Sequence, residues 1–532
     1  MNRNTLIPRW WERICNSIAE EKETIRFCLA VVFVWGLVAH AYGFVHRNLS
    51  HDGLNVFVAE SWETVWKIQL GRYFVPLYRA IFRGPIMLPW LIGLWGLLWT
   101  SFAAYMVIRV LEVRSRFQTV LICGIMVTNI SFISQIATYL YEFDFNAFAI
   151  MMAAAAVYLW RRRPGAVSAL LGGVCVMVSI GIYQSFVAVT VTLIIWISIL
   201  DLLREKPVKQ VFMSGLWGIA TIVMGGVFYL LLSKGIHAVT GIPMEARTDA
   251  LQIAEGGSLI TEYARLILPA IVDLGGNIVH QAYRRLPQMI AIGCVLALIG
   301  VGAVILFVRK KFTWDRLLLI GVLCLALPFG MNCVYFLTKG EGMHDLTTYA
   351  TWFFYIIVLQ MAFWVFESWE KPTALPGITA VAASFLVMWV LLQNVTLSNT
   401  AYVKKKMDVD ATFSTMSRVV AMLEQREDYV VGETKIAMIG APATVAHRPA
   451  FDRVRTITGV QVDYGISTDW LNWNYNAYDV YFRYVMNYPV NLCGAQERQE
   501  KVLSSPVVQE MPSYPSPGCM QMVDDILVIK MR

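Results

Sequence analysis

Long apolar runs fill the first three quarters of the chain, each near the length needed to cross a bilayer. They lie near residues 25–46, 87–111, 118–138, 145–160, 166–182, 184–203, 211–233, 287–308, 316–337, 347–367 and 375–397. A helix needs about 20 mainly apolar residues to cross roughly 30 Å of hydrocarbon, and lipid tolerates only structures that satisfy their own backbone hydrogen bonds. The pattern therefore predicts a polytopic α-helical membrane protein with about eleven transmembrane helices. Ala166–Leu203 is too long for one crossing, and the polar interruption at Tyr183, Gln184 and Ser185 divides it. After about Asn399 the pattern changes to a polar helix-like stretch near 408–427, a strand-like KIAMIG at 435–440, and two apolar runs joined by Asp524 and Asp525. The last reads as a hairpin, and residues 400–532 are expected to form a small α/β domain.

Basic residues set the orientation. Arg109, Arg114 and Arg116, then Arg161, Arg162 and Arg163, then Arg204, Lys206 and Lys209, then Arg309, Lys310, Lys311 and Arg316 occupy alternate connections, while the loops around Glu142 and Tyr183 carry no Lys or Arg. By the positive-inside rule the basic loops are cytoplasmic. An odd number of crossings then puts residues 1–24 inside, the membrane domain at 25–399, and the C-terminal domain outside. Hydrophobic residues make up 57% and charged residues 15% of the chain, against about 45–50% and about 25% in soluble domains, so the bilayer is the solvent for most of it. The net charge of +7 sits in these orienting clusters, and no nucleic-acid partner is expected. The apolar run beginning near Ile25 follows a long polar segment without a small-residue cleavage site, so the first helix is read as an anchor that stays. Cys28, Cys123, Cys175, Cys294, Cys324 and Cys333 fall in apolar runs, whereas Cys493 and Cys519 fall in the outward domain. A disulfide between those two is expected if that compartment is oxidising.

Candidate chemistry collects in the outward segments, about 47–86, about 234–286 and the tail. The first carries apolar residues and Trp62, Trp66, Tyr73 and Tyr78 at helical spacing, as interfacial helices do, and the second, with Tyr263, Leu266, Ile267, Ile271 and Val272, reads as another amphipathic segment. An ionisable group near membrane depth is a functional candidate. Asp52, in SHDG after the first helix, can take a proton from an attacking hydroxyl, with Glu60 as a second acid. Arg72, in LGRY, can bind a phosphate bidentately. Glu142 and Asp144, in YLYEFDFN, can accept hydrogen bonds from sugar hydroxyls or hold a metal. Tyr183 and Gln184, in GIYQS, pair a ring with an amide as sugar sites do. Lys339 and His344, in TKGEGMHD, can assist a phosphate. Each has a bland alternative as a solvated loop, a polar helix cap, an aromatic belt or a gate. No P-loop, GxSxG elbow, CxxC pair or HExxH occurs.

The series SHDG, LGRY, YLYEFDFN and IYQS, in that order over roughly residues 25–400, resembles the Gtr-type (GtrII-like) O-antigen glucosyltransferases of bacteria. The resemblance implies a GT-C-like membrane enzyme of the bacterial cytoplasmic membrane. It would take glucose from a polyprenyl-phosphate donor and add it, by a single inverting displacement, to a surface polysaccharide on the outer face. It also implies a donor-synthesising transferase and a flippase in the same pathway, and no cofactor, with a divalent metal left open. Many such enzymes carry an aspartate pair in the first loop, whereas here His51 precedes Asp52. A transporter of lipid-linked sugars or an O-antigen polymerase would share the helices, but no repeated halves mark a transporter, and a polymerase more often places its large outward loop between helices.

Overall fold

The computed structural model describes residues 9–46, 54, 60–244, 259–279, 285–340, 343–369, 373–441, 449–452, 454, 457 and 477–531, with the side chains of 9–20, 60–62 and 259–260 left aside. In chain order the helices are α1 (Arg9–Val45), α2 (Glu60–Gln69), α3 (Phe74–Phe82), α4 (Pro89–Val110), α5 (Arg116–Thr128), α6 (Ile130–Thr138), α7 (Phe143–Arg162), α8 (Ala166–Ile180), α9 (Val187–Leu203), α10 (Val208–Thr240), α11 (Leu259–Val279), α12 (Arg285–Arg309), α13 (Trp314–Met331), α14 (Cys333–Leu337), α15 (Phe353–Glu367) and α16 (Ala374–Glu424). Among the described residues ten helical segments are long and apolar enough to cross a membrane. The eleventh predicted run is α8, whose 15 residues reach only about 22 Å at 1.5 Å per residue.

The segment Arg116–Thr138 lies at the centre of the bundle, with 94% of its apolar window buried. It is not one helix but two, broken at Asn129. The Asn129 side chain accepts from the Phe132 amide at 3.1 Å and donates to the Met126 carbonyl at 2.8 Å. One amide thus caps both sides of the break, as buried backbone at membrane depth requires. By contrast α10, α12 and α13 present Leu231, Val304 and Leu325, each more than half exposed, and so supply a lipid-facing surface. Helices α8 and α10 meet backbone to backbone. A Cβ on Gly173 would stand 3.2 Å from the Gly225 amide nitrogen, and one on Gly225 would stand 3.1 Å from the Gly173 carbonyl oxygen, the small-residue contact typical of membrane helices.

The basic loops converge at one end of the bundle. Arg161 reaches Asp201 at 2.5 Å and Glu112 at 2.7 Å, Arg204 reaches Glu112 at 2.7 Å, Lys310 reaches Glu205 at 2.6 Å, and Arg316 donates to the Leu202 carbonyl at 2.6 Å. The turns carrying Glu142 and Tyr183, and helices α2 and α3, lie at the other ends of the helices leaving this cluster.

The boundary expected at Asn399 falls inside a helix. α16 runs unbroken for 51 residues, because neither Gly nor Pro occurs between Gly377 and Glu424; only hydropathy changes there. Beyond it, β1 (Lys435–Ile439), β2 (Asn491–Leu492), β3 (Met520–Val523) and β4 (Ile526–Lys530) form one sheet in the order β2-β1-β4-β3, with β1 parallel to β2 and β4, and β3–β4 the expected hairpin. This order overturns the disulfide. Cys493 follows β2, its amide bonding to Ile436 of β1, and Cys519 precedes β3, its carbonyl bonding to Lys530 of β4. They sit at opposite edges, three strand spacings or about 14 Å apart, whereas a bridge needs Cα atoms within about 7 Å. Both are buried thiols. Unfolding the protein without reductant should therefore expose both to a thiol reagent; labelling of neither would restore the bridge.

Candidate active site

Five of the residues singled out from the sequence are brought together by helices α2 and α3. These two short helices lie in the excursion between α1 and α4, and each brings charges one turn apart: Glu63 and Lys67 on α2, Arg79 on α3 with Arg83 at its C-terminal cap. All four are buried against the bundle or against each other. Arg79 pairs with Glu63 and donates to the Pro85 carbonyl at 2.6 Å, which ties the two helices together. Lys67, 1% exposed, donates to Glu142 at 2.5 Å, and Arg72 approaches the same carboxylate oxygen at 3.3 Å. Arg83 donates through Nε to Asp144 at 2.7 Å and through Nη2 to the Tyr141 carbonyl at 2.5 Å.

The two acids of YLYEFDFN thus take different positions. Asp144 is fully buried beneath Arg83, whose guanidinium also reaches the Gly84 and Ile86 carbonyls; this pair anchors α3 to the start of α7. Glu142, on a short 3₁₀ turn between α6 and α7, orients Lys67 and Arg72. Burial pulls the Lys67 ammonium below its usual range, and the charge of Glu142 opposes the fall.

The α8–α9 turn closes the third side. The Arg72 guanidinium lies over the Tyr183 ring, 4.4 Å from its centroid, a favourable cation–π geometry. Burial pushes the Tyr183 hydroxyl up to about 12, with the Arg72 charge acting against it, so it stays a neutral phenol. Gln184 donates to the Leu70 carbonyl at 2.8 Å, holding the turn that delivers Arg72. That turn needs Gly71, which sits at φ +72° with the Tyr229 hydroxyl where a Cβ would go. Next to it the Tyr73 hydroxyl lies 2.6 Å from Ser233 Oγ and 2.9 Å from His237 Nε2, joining the excursion to α10.

A family model described as "Glucosyl transferase GtrII" matches residues 41–366, which begins at the end of α1 and takes in α2, α3 and both turns of this cluster. The chain belongs to the GtrII glucosyl transferase family. No curated protein and no solved structure matches it. As a GtrII-family member it is a glycosyltransferase, and its apolar helices make it a multi-pass membrane protein.

The remaining sequence candidates of this GtrII-family chain make their described contacts with residues outside the cluster or lie outside the described residues. Asp52 lies outside the described residues. Glu60 opens α2, but its side chain lies outside them too; Leu54, between the two, is buried in the core. Lys339 pairs with Glu262 of α11 at 3.6 Å. His344 flanks the turn Asp345–Thr347, which hangs on α6 through Ser131 donating to the Leu346 carbonyl at 2.8 Å. Burial lowers the His344 imidazole from its usual value, Asp345 opposing, so near neutral pH it can donate a hydrogen bond but brings no full charge. Sequence reasoning placed Glu63 among the acids of the first outward loop but missed Lys67, Arg79 and Arg83. Their four-residue spacing on two short amphipathic segments was the available signal. Among the described residues no three His, Cys, Asp or Glu side chains gather as a metal would need.

Removing one partner from a buried ion pair leaves the other uncompensated and is destabilising by about 3–5 kcal/mol, whereas replacing both with apolar groups is far milder. Glu142→Gln should therefore lower the thermal midpoint of the detergent-solubilised protein more than the double change Glu142→Leu with Lys67→Met. Equal loss in both would show that the pair is not coupled.

Proposed function

We propose that this protein transfers glucose from a polyprenyl-phosphate carrier to a surface polysaccharide of the O-antigen type, at the outer face of the bacterial cytoplasmic membrane. The observation that carries the reading is the buried network around Glu142. Among its described members four cations, Lys67, Arg72, Arg79 and Arg83, stand against three carboxylates, Glu63, Glu142 and Asp144. Among these described members the surplus is positive, as a site for an anionic phosphate requires, and Arg72, with 16% of its side chain exposed, is the most accessible charge of them.

In the proposed reaction the acceptor hydroxyl oxygen attacks C1 of the donor sugar. The C1–O bond to phosphate breaks, the phosphate oxygen leaves with the electron pair, and the hydroxyl proton passes to Asp52. One displacement inverts the anomeric centre. Arg72, held in orientation by Glu142 and Tyr183, meets the phosphate, and Lys339 and His344 add donors at its rim. Glu60 is the second acid of the first loop, Tyr183 and Gln184 shape the sugar side, and Asp144 acts through Arg83. Positive charge comes from the chain itself, so no metal is required. The donor is made by another transferase and delivered by a flippase.

Transfer from polyprenyl-phosphate glucose by the purified protein tests this reading. A general base typically contributes about 10²–10⁴-fold, so Asp52→Asn should lose activity on that scale while remaining folded. Arg72→Ala should raise the donor KM and lower kcat together, because the phosphate is charged before and during the reaction, and chelator should change nothing. Near wild-type transfer by Asp52→Asn would move the base to Glu60; loss with chelator would make Glu142 and Asp144 metal ligands.

Orientation has its own test. With the basic loops inside, a reporter active only outside the cytoplasm, fused after Arg532, should be active. Activity only of a cytoplasmic reporter there would invert the assignment.

A further inference from the structure

We infer that Asn146, together with Gln135 and Ser185, forms the subsite that reads the hydroxyls of the transferred sugar. The inference deepens the function proposed above and rests on its lipid-phosphate sugar donor.

The three segments that carry these residues meet at one cluster of rings. The Phe132 ring of α6 is centred 5.0 Å from Phe143 of α7 and 5.0 Å from Tyr349, and Tyr349 is centred 6.2 Å from Phe186, just before α9. Along the chain Gln135 stands about one turn beyond Phe132, Asn146 about one turn beyond Phe143, and Ser185 next to Phe186. Helices α7 and α9 both run from the outward turns toward the basic loops, in a register fixed by Thr190 Oγ1, which donates to the Ala153 carbonyl at 3.1 Å. Asn146 precedes Ala153 by about two turns on the same face, which brings it level with the turn at Tyr183–Phe186. It also follows Glu142 by about one turn, so it lies one turn deeper than the carboxylate that orients Arg72.

Asn146 is 0% exposed, yet neither its Nδ2 nor its Oδ1 meets a hydrogen-bond partner among the described residues, and no other described side chain leaves two buried polar atoms in that position. The Gln135 Oε1 and the Ser185 Oγ, on residues that are also buried, are unpartnered in the same way. Leaving a buried amide without partners is destabilising, so each such group calls for an explanation in what it binds. These three side chains are uncharged, and together they offer both donors and acceptors, which matches sugar hydroxyls that do both; a phosphate would call for cations instead. The rings of Tyr183 and Phe186, centred 5.5 Å apart, border the set and suit the C–H face of a pyranose. One helical turn spans about 5.4 Å, on the scale of a single hexose, so a glucose whose phosphate meets Arg72 extends to the level of Asn146.

Affinities of the purified wild type, Asn146→Leu and Ser185→Ala for polyprenyl phosphate with and without glucose separate the sugar from the phosphate. The wild type should bind the glucosylated lipid more tightly. Two neutral hydrogen bonds are together worth about 10- to 100-fold in affinity, so Asn146→Leu should lose a factor of that size for the glucosylated lipid and none for the bare one. Ser185→Ala should lose a smaller factor in the same direction. Because leucine removes an unpartnered amide at nearly constant volume, the thermal midpoint of ligand-free Asn146→Leu should not fall. A glucose-dependent gain retained in both variants would overturn the subsite and leave ordered water as the partner of these atoms. Equal binding of the two lipids by the wild type would overturn it too, while leaving the proposed donor phosphate intact. Binding of neither lipid by the wild type would refute the proposed function itself, and the subsite with it.

Discussion

A carboxylate withdrawn from water beside lipid persists only where a cation meets it, and the placement of α2 and α3 follows from that requirement. Glu142 sits on a turn with no basic neighbour in sequence, so its counter-charges must come from elsewhere in the chain. Lys67 and Arg72 arrive from the excursion between α1 and α4, with Arg83 on Asp144 as a second anchor. Because each bond is directional, the excursion has one low-energy docking position. Glu63 and Arg79 tie the two short helices to each other. The same bonds that hold the excursion in place also fix the guanidinium of Arg72 over Tyr183, so stability and preorganisation here are one arrangement.

The rule extends through the bundle. Wherever the chain breaks or brings a polar group to membrane depth, a specific partner is in place: Asn129 bridges the α5–α6 interruption, and His40 spans from Tyr402 to the Val127 carbonyl just before that break. These bonds tie α1, α5 and α16 into one unit beneath the site. Elsewhere, α10, α12 and α13 leave apolar faces open to lipid.

The GtrII-family match ends at residue 366, yet the bundle does not. Helix α16 packs along α1 and runs unbroken to Glu424, with the turns of residues 425–434 joining it to β1 of the C-terminal sheet.

What the sequence by itself determined was everything that depends on local quantities. Length and apolarity marked the membrane helices, loop charge marked which turns share an end, and the Asp524–Asp525 pair between apolar runs marked the β3–β4 hairpin. The outward turns with Glu142, Asp144, Tyr183 and Gln184 were legible as a set for the same reason: acids, rings and amides at the ends of apolar runs are conspicuous one residue at a time. Pairing was not legible. Lys67 and Glu142 are 75 residues apart, and Arg83 and Asp144 are 61 apart, and nothing local says which cation meets which acid. The separation of Cys493 from Cys519 likewise depends on the strand order β2-β1-β4-β3, which matching residue types cannot reveal. The unbroken run of α16 was written in its lack of Gly and Pro but hidden by the drop in hydropathy past Asn399. Burial decides these cases, because a charge or thiol takes its role from its surroundings in the tertiary structure, and those surroundings are assembled from distant segments.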